Sequence, residues 1–508
     1  MLGRATGAVL VGVEARLVDV EVDLGGGLPT IAAVGLPDVA VREGIDRIRG
    51  ALPHAGFRLP QRRITVNLAP ADVRKHGAGL DLPMAVALLQ ADGQLTGIPS
   101  ERAVIVGELG LDSSVRPVRG TLSIALAAKA VGRSTLLVPA ANAAEAALVP
   151  GLEVVGLSTL ADVVAYALGR RGNRPAIDVA ELLELARRSQ FAPDLTEVRG
   201  QAAARRALEV AAAGGHHLLL SGPPGAGKTM LARRLPGILP PLELEEALAV
   251  TRVWSAAGMA QGLLVSRPFR APHHGISCAG MTGGGSRLRP GEITLASQGV
   301  LYLDELTEFR RDVLESLRQP LEDSSISIVR VQDAVTFPAD FTLVASMNPC
   351  PCGYAGQPQA RCRCTPREVA RYQSRLSGPL LDRFDLVVEL PAVDPISLTR
   401  ALPGEASSAV RARVIAARHV QRRRFGATGP TCNARMRGVE LERHAGLSGE
   451  AASLVFAALE RLGLSARGYD RVRRVARTIA DLAGEAAIGR AHVAEALQYR
   501  IRPGAQTA

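Results

Sequence analysis

Gly222-Pro223-Pro224-Gly225-Ala226-Gly227-Lys228-Thr229 follows directly on the apolar run Leu218-Leu219-Leu220. The segment fits the phosphate-loop pattern GxxxxGK[ST] between a strand and a helix. Its glycines allow backbone N–H groups to turn inward around a triphosphate, where a Cβ would obstruct. Lys228 can reach the β- and γ-phosphates, and the Thr229 hydroxyl can hold Mg²⁺. The stretch from Thr229 to Leu235 predicts a helix whose positive end faces the anion. Of 60 basic residues only Lys75, Lys129 and Lys228 are lysine, so an arginine-using chain keeps lysine at this position. ATP or GTP is the expected ligand.

Working outward, Val300-Leu301-Tyr302-Leu303-Asp304-Glu305 reads as a buried strand ending in two carboxylates. Asp304 suits the Mg²⁺ water shell and Glu305 suits orientation of the attacking water. Leu343-Val344-Ala345-Ser346-Met347-Asn348 reads as a second strand, with Asn348 aimed at the γ-phosphate or the water. In a parallel α/β sheet such strand ends line the ligand crevice. Farther on lies Leu380-Leu381-Asp382-Arg383-Phe384-Asp385. There Arg383 is either a phosphate ligand or the partner of Asp382 or Asp385.

The 508 residues allow about two to four domains. Residues 1–170 alternate strands (Val18–Leu24, Ile64–Leu68, Ala103–Gly107) with helices (Leu82–Leu89, Leu122–Ala130). Residues 171–197 read as a linker with one short helical patch, 198–395 as the nucleotide-binding core and 396–508 as helical. The chain is 47% hydrophobic and 21% charged, and no apolar run approaches the ~20 residues that span a bilayer. No signal-peptide core opens the sequence, so a cytoplasmic protein without a membrane partner is expected. The net charge of +11 is uneven. Residues 1–170 carry 16 basic and 16 acidic side chains, whereas 395–508 carry 19 and 9. That arginine surplus suits phosphate or a solvated helical face.

Four of the six cysteines form Cys350-x-Cys352 and Cys362-x-Cys364. Such spacing points to structural Zn²⁺, with free loop thiols as the alternative. Cys278 and Cys432 read as packed residues, and His273-His274 as structural.

Several segments together resemble the magnesium-chelatase-like AAA+ family, specifically its YifB/ComM group. They are Arg267-Pro268-Phe269-Arg270-Ala271-Pro272-His273-His274, Gly283-Gly284-Gly285 through Pro290-Gly291-Glu292-Ile293, Leu303-Asp304-Glu305-Leu306, Asn348-Pro349-Cys350-Pro351-Cys352-Gly353, Leu381-Asp382-Arg383-Phe384 and Arg467 to Leu482. The resemblance covers nearly the whole chain. It implies an α/β fold with an AAA+ P-loop core, a C-terminal helical lid and an N-terminal Lon-protease-like α+β domain of the ribosomal S5 domain 2-like type. It also implies ATP with Mg²⁺, and a homo-hexameric ring. In such rings Arg383 resembles the finger that enters the adjacent subunit's site. Arg467, with Arg474 as the runner-up, resembles the lid arginine that senses γ-phosphate in cis. Two insertions are implied, one near Gly283 to Pro290 and one spanning about Ser324 to Phe337. Arg287, Arg289 and Arg330 on them are candidates for DNA contact or solvated loop arginines. In the N-terminal unit Gly79 stands where a Lon protease keeps its serine and Leu122 where it keeps its lysine, so a scaffold or DNA module is expected there. The resemblance implies a ring motor that hydrolyses ATP on single-stranded or branched DNA: a branch-migration helicase that integrates incoming DNA during homologous recombination, with recombination proteins as further partners. The alternative is a chelatase-like motor driving metal insertion or protein remodelling.

Overall fold

The computed structural model describes the chain except residues 1, 171–174, 176–178, 189–192, 261, 286–287, 330–333, 357–361, 393–403, 427, 463–464 and 501–508. Near the N-terminus, strict alternation puts Val18, Val20, Val22 and Leu24 inside and their acidic neighbours Asp19 and Asp23 outside. The strand Glu14–Gly25 pairs antiparallel with Leu2–Val11 and Arg63–Ala69. With Thr30–Val34, Ala103–Ile105, Thr135–Pro139 and Glu153–Leu157 they form a seven-stranded mixed sheet. The helix Asp81–Ala91 is apolar nearly all round and is correspondingly buried against this sheet.

The second sheet has five strands. In spatial order they are Phe269–Arg270, Val300–Leu303, Thr342–Met347, Leu218–Ser221 and Leu386–Glu389. All neighbours run parallel, and the interior strands are continuous apolar runs, as a sheet covered on both faces requires. The first strand in sequence lies between the fourth and the fifth. The crevice at its C-terminal end is therefore flanked by the sensor strand, Thr342–Met347, which brings Asn348 to the phosphate loop.

The helix expected from Thr229 to Leu235 is shorter than its periodicity implies. Helix Lys228–Ala232 stops and Leu235–Ile238 restarts, because Pro236 can be tolerated only in the first turn of a new helix. Among the described residues of the C-terminal third the α-helices are Ser407–Phe425, Gly438–His444, Gly449–Leu462, Ala466–Ala483 and Arg490–Gln498. Val472, Val475 and Ile479 share one apolar core with Leu218 and Leu220. The lid is thus built onto the nucleotide-binding sheet.

Part of the arginine surplus here is internal, while Arg422, Arg423, Arg437, Arg443 and Arg490 are exposed. Arg477 and Arg424 both bind the buried Asp481, and Arg473 reaches Glu442 at 2.6 Å and the Ala445 carbonyl at 2.9 Å. These side chains are neither a solvated face nor a phosphate surface.

The N-terminal unit is joined to the core through the helix Leu244–Ala257. Arg252 donates to the Val13 carbonyl at 3.0 Å, and the Gly120 N–H donates to the Ser255 carbonyl at 3.2 Å. The turn at Gly12 meets Val335 and Phe337 on the hairpin formed by Ser325–Val329 and Ala334–Pro338.

Candidate active site

Gly225 and Gly227 hold φ of +78° and +86°, which L side chains rarely adopt. A Cβ on Gly222 would lie 2.7 Å from the Leu390 carbonyl. The loop is therefore a backbone cradle, the donor set that a polyphosphate fits. Inside it the Lys228 ammonium donates to the carbonyls of Gly222 (2.6 Å) and Pro223 (2.9 Å) and to Asn348 Oδ1 (3.0 Å). Burial lowers its pKa, while Asp304 and Glu305 act in the opposite sense.

Thr229 Oγ1 donates to Asp304 Oδ2 at 2.9 Å, placing a hydroxyl and a carboxylate where one Mg²⁺ shell could take both. Burial pushes the Asp304 carboxyl up, but hydrogen bonds from Ser346, Thr229 and the Glu305 N–H outweigh it and hold the group below the usual carboxylate range. Glu305 sits in the left-handed region at φ +52°. Its N–H faces Asp304 Oδ1 at 3.1 Å and Ser346 Oγ at 3.3 Å, while its carboxylate is exposed. A non-glycine residue held in such a conformation at a strand end belongs with functional geometry.

Sequence reasoning missed three neighbours. Ser346 hydrogen-bonds Asp304, Tyr302 Oη donates to Thr229 Oγ1 at 3.2 Å, and His274 Nδ1 stands 4.0 Å from Glu305 Oε2. Ser346 and Tyr302 lie on strands flagged for their terminal residues, and their own positions carry no pattern. His274 was assigned a structural role together with His273; the rings do pack at 4.0 Å, but His274 also faces the candidate base.

A second cluster lies at the other end of the sheet. A cavity of about 280 Å³ is lined by Arg383, Arg467, Arg471, Arg474, Asp385 and Glu322, with Gly215 and His217 at its wall. Those last two residues precede the strand Leu218–Ser221, whereas the phosphate loop follows it. The strand's length, about 13 Å, separates the two sites. Arg467 thus stands at the opposite end of that strand from its own chain's phosphate loop.

Arg383 is only 8% exposed and pairs with Glu322, not with Asp382 or Asp385. Arg383 Nε, Arg471 Nη1 and Arg474 Nε are buried with no acceptor among the described residues. Burial lowers the Arg471 pKa to about 10, against the pull of Asp385. The cavity lining thus mixes arginines with the carboxylates of Glu322, Asp323, Asp385 and Asp470.

Cys350, Cys352, Cys362 and Cys364 place their sulfurs within 4.8 Å of one another. Three pairs measure 3.4, 3.7 and 3.6 Å. Tetrahedral Zn–S bonds of about 2.3 Å separate sulfurs by about 3.8 Å, so the set fits one metal ion. The Ala355 N–H donates to Cys350 Sγ at 3.3 Å, and the amides of Arg363 and Tyr354 hold the Cys352 thiol below its usual range.

Of the DNA candidates, Arg289 is exposed on the short hairpin of Gly283–Gly284 with Arg289–Pro290. It borders a cavity of about 720 Å³ shared with Gly79 of the N-terminal unit. Arg287 and Arg330 lie outside the described residues. Among the described residues no helix is long and apolar enough to cross a membrane.

Comparison with known proteins agrees with this geometry. The family model described as magnesium chelatase, subunit ChlI, matches residues 194–398. Those described as subunit ChlI of Mg-chelatase and as the subunit ChlI C-terminal part match 20–142 and 404–500. The chain is 45% identical to the uncharacterized protein YifB of Salmonella typhimurium over 96% of its own length and 95% of that protein's. Identity and coverage are the same for the competence protein ComM of Haemophilus influenzae. A probable DNA helicase MCM9 of Oryza sativa subsp. indica is 25% identical over 34% of this chain and 21% of its own.

Proposed function

The chain belongs to the magnesium-chelatase-like AAA+ ATPases of the YifB and ComM family, and from that premise we propose that it is a ring motor hydrolysing ATP on DNA. The observation that carries this reading is the separation of the two sites. One chain offers a phosphate cradle and an acidic pair at one end of its sheet, and an arginine-rich pocket at the other. A single copy cannot bring them together, whereas a closed ring of identical chains, six in the proposed assembly, joins one copy's pocket to the next copy's cradle.

Mg²⁺, when bound with ATP at Thr229 and Asp304, supplies neutralising charge for the leaving phosphate. The remaining work falls to side chains. Lys228 and the loop amides position the β- and γ-phosphates, and Asn348 fixes the γ-phosphate side. Glu305 orients water and accepts its proton at the exposed carboxylate. Arg383 of the neighbouring copy, with Arg467, Arg471 and Arg474 around it, meets charge developing on the transferred group. We assign the four thiolates to one Zn²⁺.

The DNA assignment takes support from the competence protein and the probable helicase among the relatives. In this reading the hairpins bearing Arg287, Arg289 and Arg330 face the ring channel and move along phosphate backbone. The work done is branch migration of incoming DNA during homologous recombination in the cytoplasm, alongside recombination proteins. The test is ATPase rate and strand displacement on forked DNA across a salt series. The motor predicts DNA-stimulated turnover, displacement, and affinity falling steeply with salt. DNA-indifferent hydrolysis without displacement would favour a chelatase-like remodeller.

A further inference from the structure

The cysteine cluster begins two residues beyond Asn348, the side chain that accepts from Lys228 at 3.0 Å. Its loop touches the ATP site at three further places. Gly353, at φ +86°, packs so closely on the phosphate loop that a Cβ there would lie 2.5 Å from Pro224 Cδ. The Pro349 carbonyl, between Asn348 and Cys350, accepts from Gln373 at 3.2 Å. Gln373 ends the helix Pro366–Gln373, which starts two residues after Cys364. From that helix Tyr372 Oη meets Thr307 Oγ1 at 2.5 Å, and just beyond it Arg375 binds Glu308 at 3.1 Å. Thr307 and Glu308 lie in the turn that follows Glu305. The thiolates therefore close a loop whose two arms rest on the phosphate loop, the sensor asparagine and the segment behind the candidate base.

Without a metal that loop has little to hold it. Its described residues are turns, bends and irregular chain between strand and helix, and only Pro349, Cys350 and Gly353 among them are buried. Four sulfurs at tetrahedral separation supply the missing constraint when one cation joins them.

We propose that the tetrathiolate centre is a positioning element of the ATPase: Zn²⁺ bound by Cys350, Cys352, Cys362 and Cys364 fixes Asn348, Pro224 and the Glu305 turn in register for hydrolysis. The inference rests on the zinc and ATPase assignments above and adds that metal occupancy sets turnover. The four sulfurs contact no phosphate; they act through the loop.

The test uses the full-length protein purified with its metal. Zinc content, cobalt-substituted absorption, Kd for a fluorescent ADP and kcat are measured for wild type, Cys362→Ser/Cys364→Ser, Cys364→His and Gly353→Ala. Wild type is expected to hold one zinc per chain and to show thiolate-to-cobalt charge-transfer bands. The double variant loses both, and its kcat falls on the order of tenfold or more while ADP still binds. Cys364→His, which keeps a four-ligand site, restores zinc and most of the turnover. Gly353→Ala keeps its zinc yet loses turnover, because strain at φ +86° and contact with Pro224 displace the loop without touching a thiolate. That variant decides the matter should the double variant fail to fold. Absence of zinc and of cobalt bands in wild type overturns the metal assignment. A zinc-free variant with wild-type kcat, or a Gly353→Ala protein with undiminished kcat, overturns the coupling and leaves the metal assignment standing. A wild-type protein that holds zinc but hydrolyses no ATP defeats the ATPase reading instead.

Discussion

Glu305 is held in a left-handed backbone conformation by a carboxylate and a hydroxyl that both face its N–H. That arrangement divides labour between neighbouring acids: Asp304 is locked by three donors, and Glu305 is left free to meet water. Glu305→Gln is accordingly expected to keep nucleotide affinity and lose roughly 10²–10⁴ in kcat, the range ascribed to a general base. Lys228→Ala should abolish nucleotide binding in a fluorescent-ADP titration, because the cradle's cation is gone. Ser346→Ala takes one donor from Asp304 and the acceptor from the Glu305 N–H. A 10–100-fold fall in kcat with unchanged ADP affinity is expected, the scale of a supporting-shell loss. The phosphate loop was legible because its chemistry fixes residue type and spacing together. Ser346 was illegible because a serine inside a strand has many uses and only its three-dimensional neighbours single one out.

Among the elements, the strand Leu218–Ser221 carries the phosphate loop at one end and a buried titratable cluster at the other. His217 Nδ1 accepts the Leu343 N–H at 3.0 Å, so the ring is neutral where it sits, and burial lowers its pKa to about 4. An unfolded histidine titrates near 6.5, so between these values the unfolded chain binds the extra proton. The stabilisation is full above pH 6.5 and is lost as pH falls toward 4, by about 3 kcal/mol at most. Asp385, pushed up by burial but held far below the carboxylate range by His216 and Arg471, adds loss in the same direction at lower pH. Denaturant midpoints should fall across that window, and His217→Gln should flatten the upper part. Strands and helices were readable from periodicity because the core imposes it. The break at Pro236 was overlooked although the proline signals it locally, whereas the burial of Arg473 depends on Leu441, Glu442 and Ala445, about 30 residues away in sequence. The position of Arg467 away from its own phosphate loop also escaped, because sequence order says nothing about which end of a sheet a lid helix reaches.

For the whole molecule, the separation of cradle and arginine pocket is what leads us to propose a pair of neighbours as the catalytic unit. The N-terminal sheet rests on the same assembly, its Gly12 turn seated against the hairpin that precedes the sensor strand. Arg289→Glu, at the mouth of the junction cavity, should weaken single-stranded DNA binding and make the salt slope shallower by about 1, leaving DNA-free hydrolysis intact. Two inactive variants offer the most direct measurement. Lys228→Ala chains lack the cradle but keep Arg383, and Arg383→Ala chains keep the cradle but lack the finger. Mixed after dissociation and reassembled, they should recover ATP hydrolysis that neither shows alone, with a maximum at intermediate ratios. A mixture as inactive as its components at every ratio would contradict a site completed by the adjacent chain.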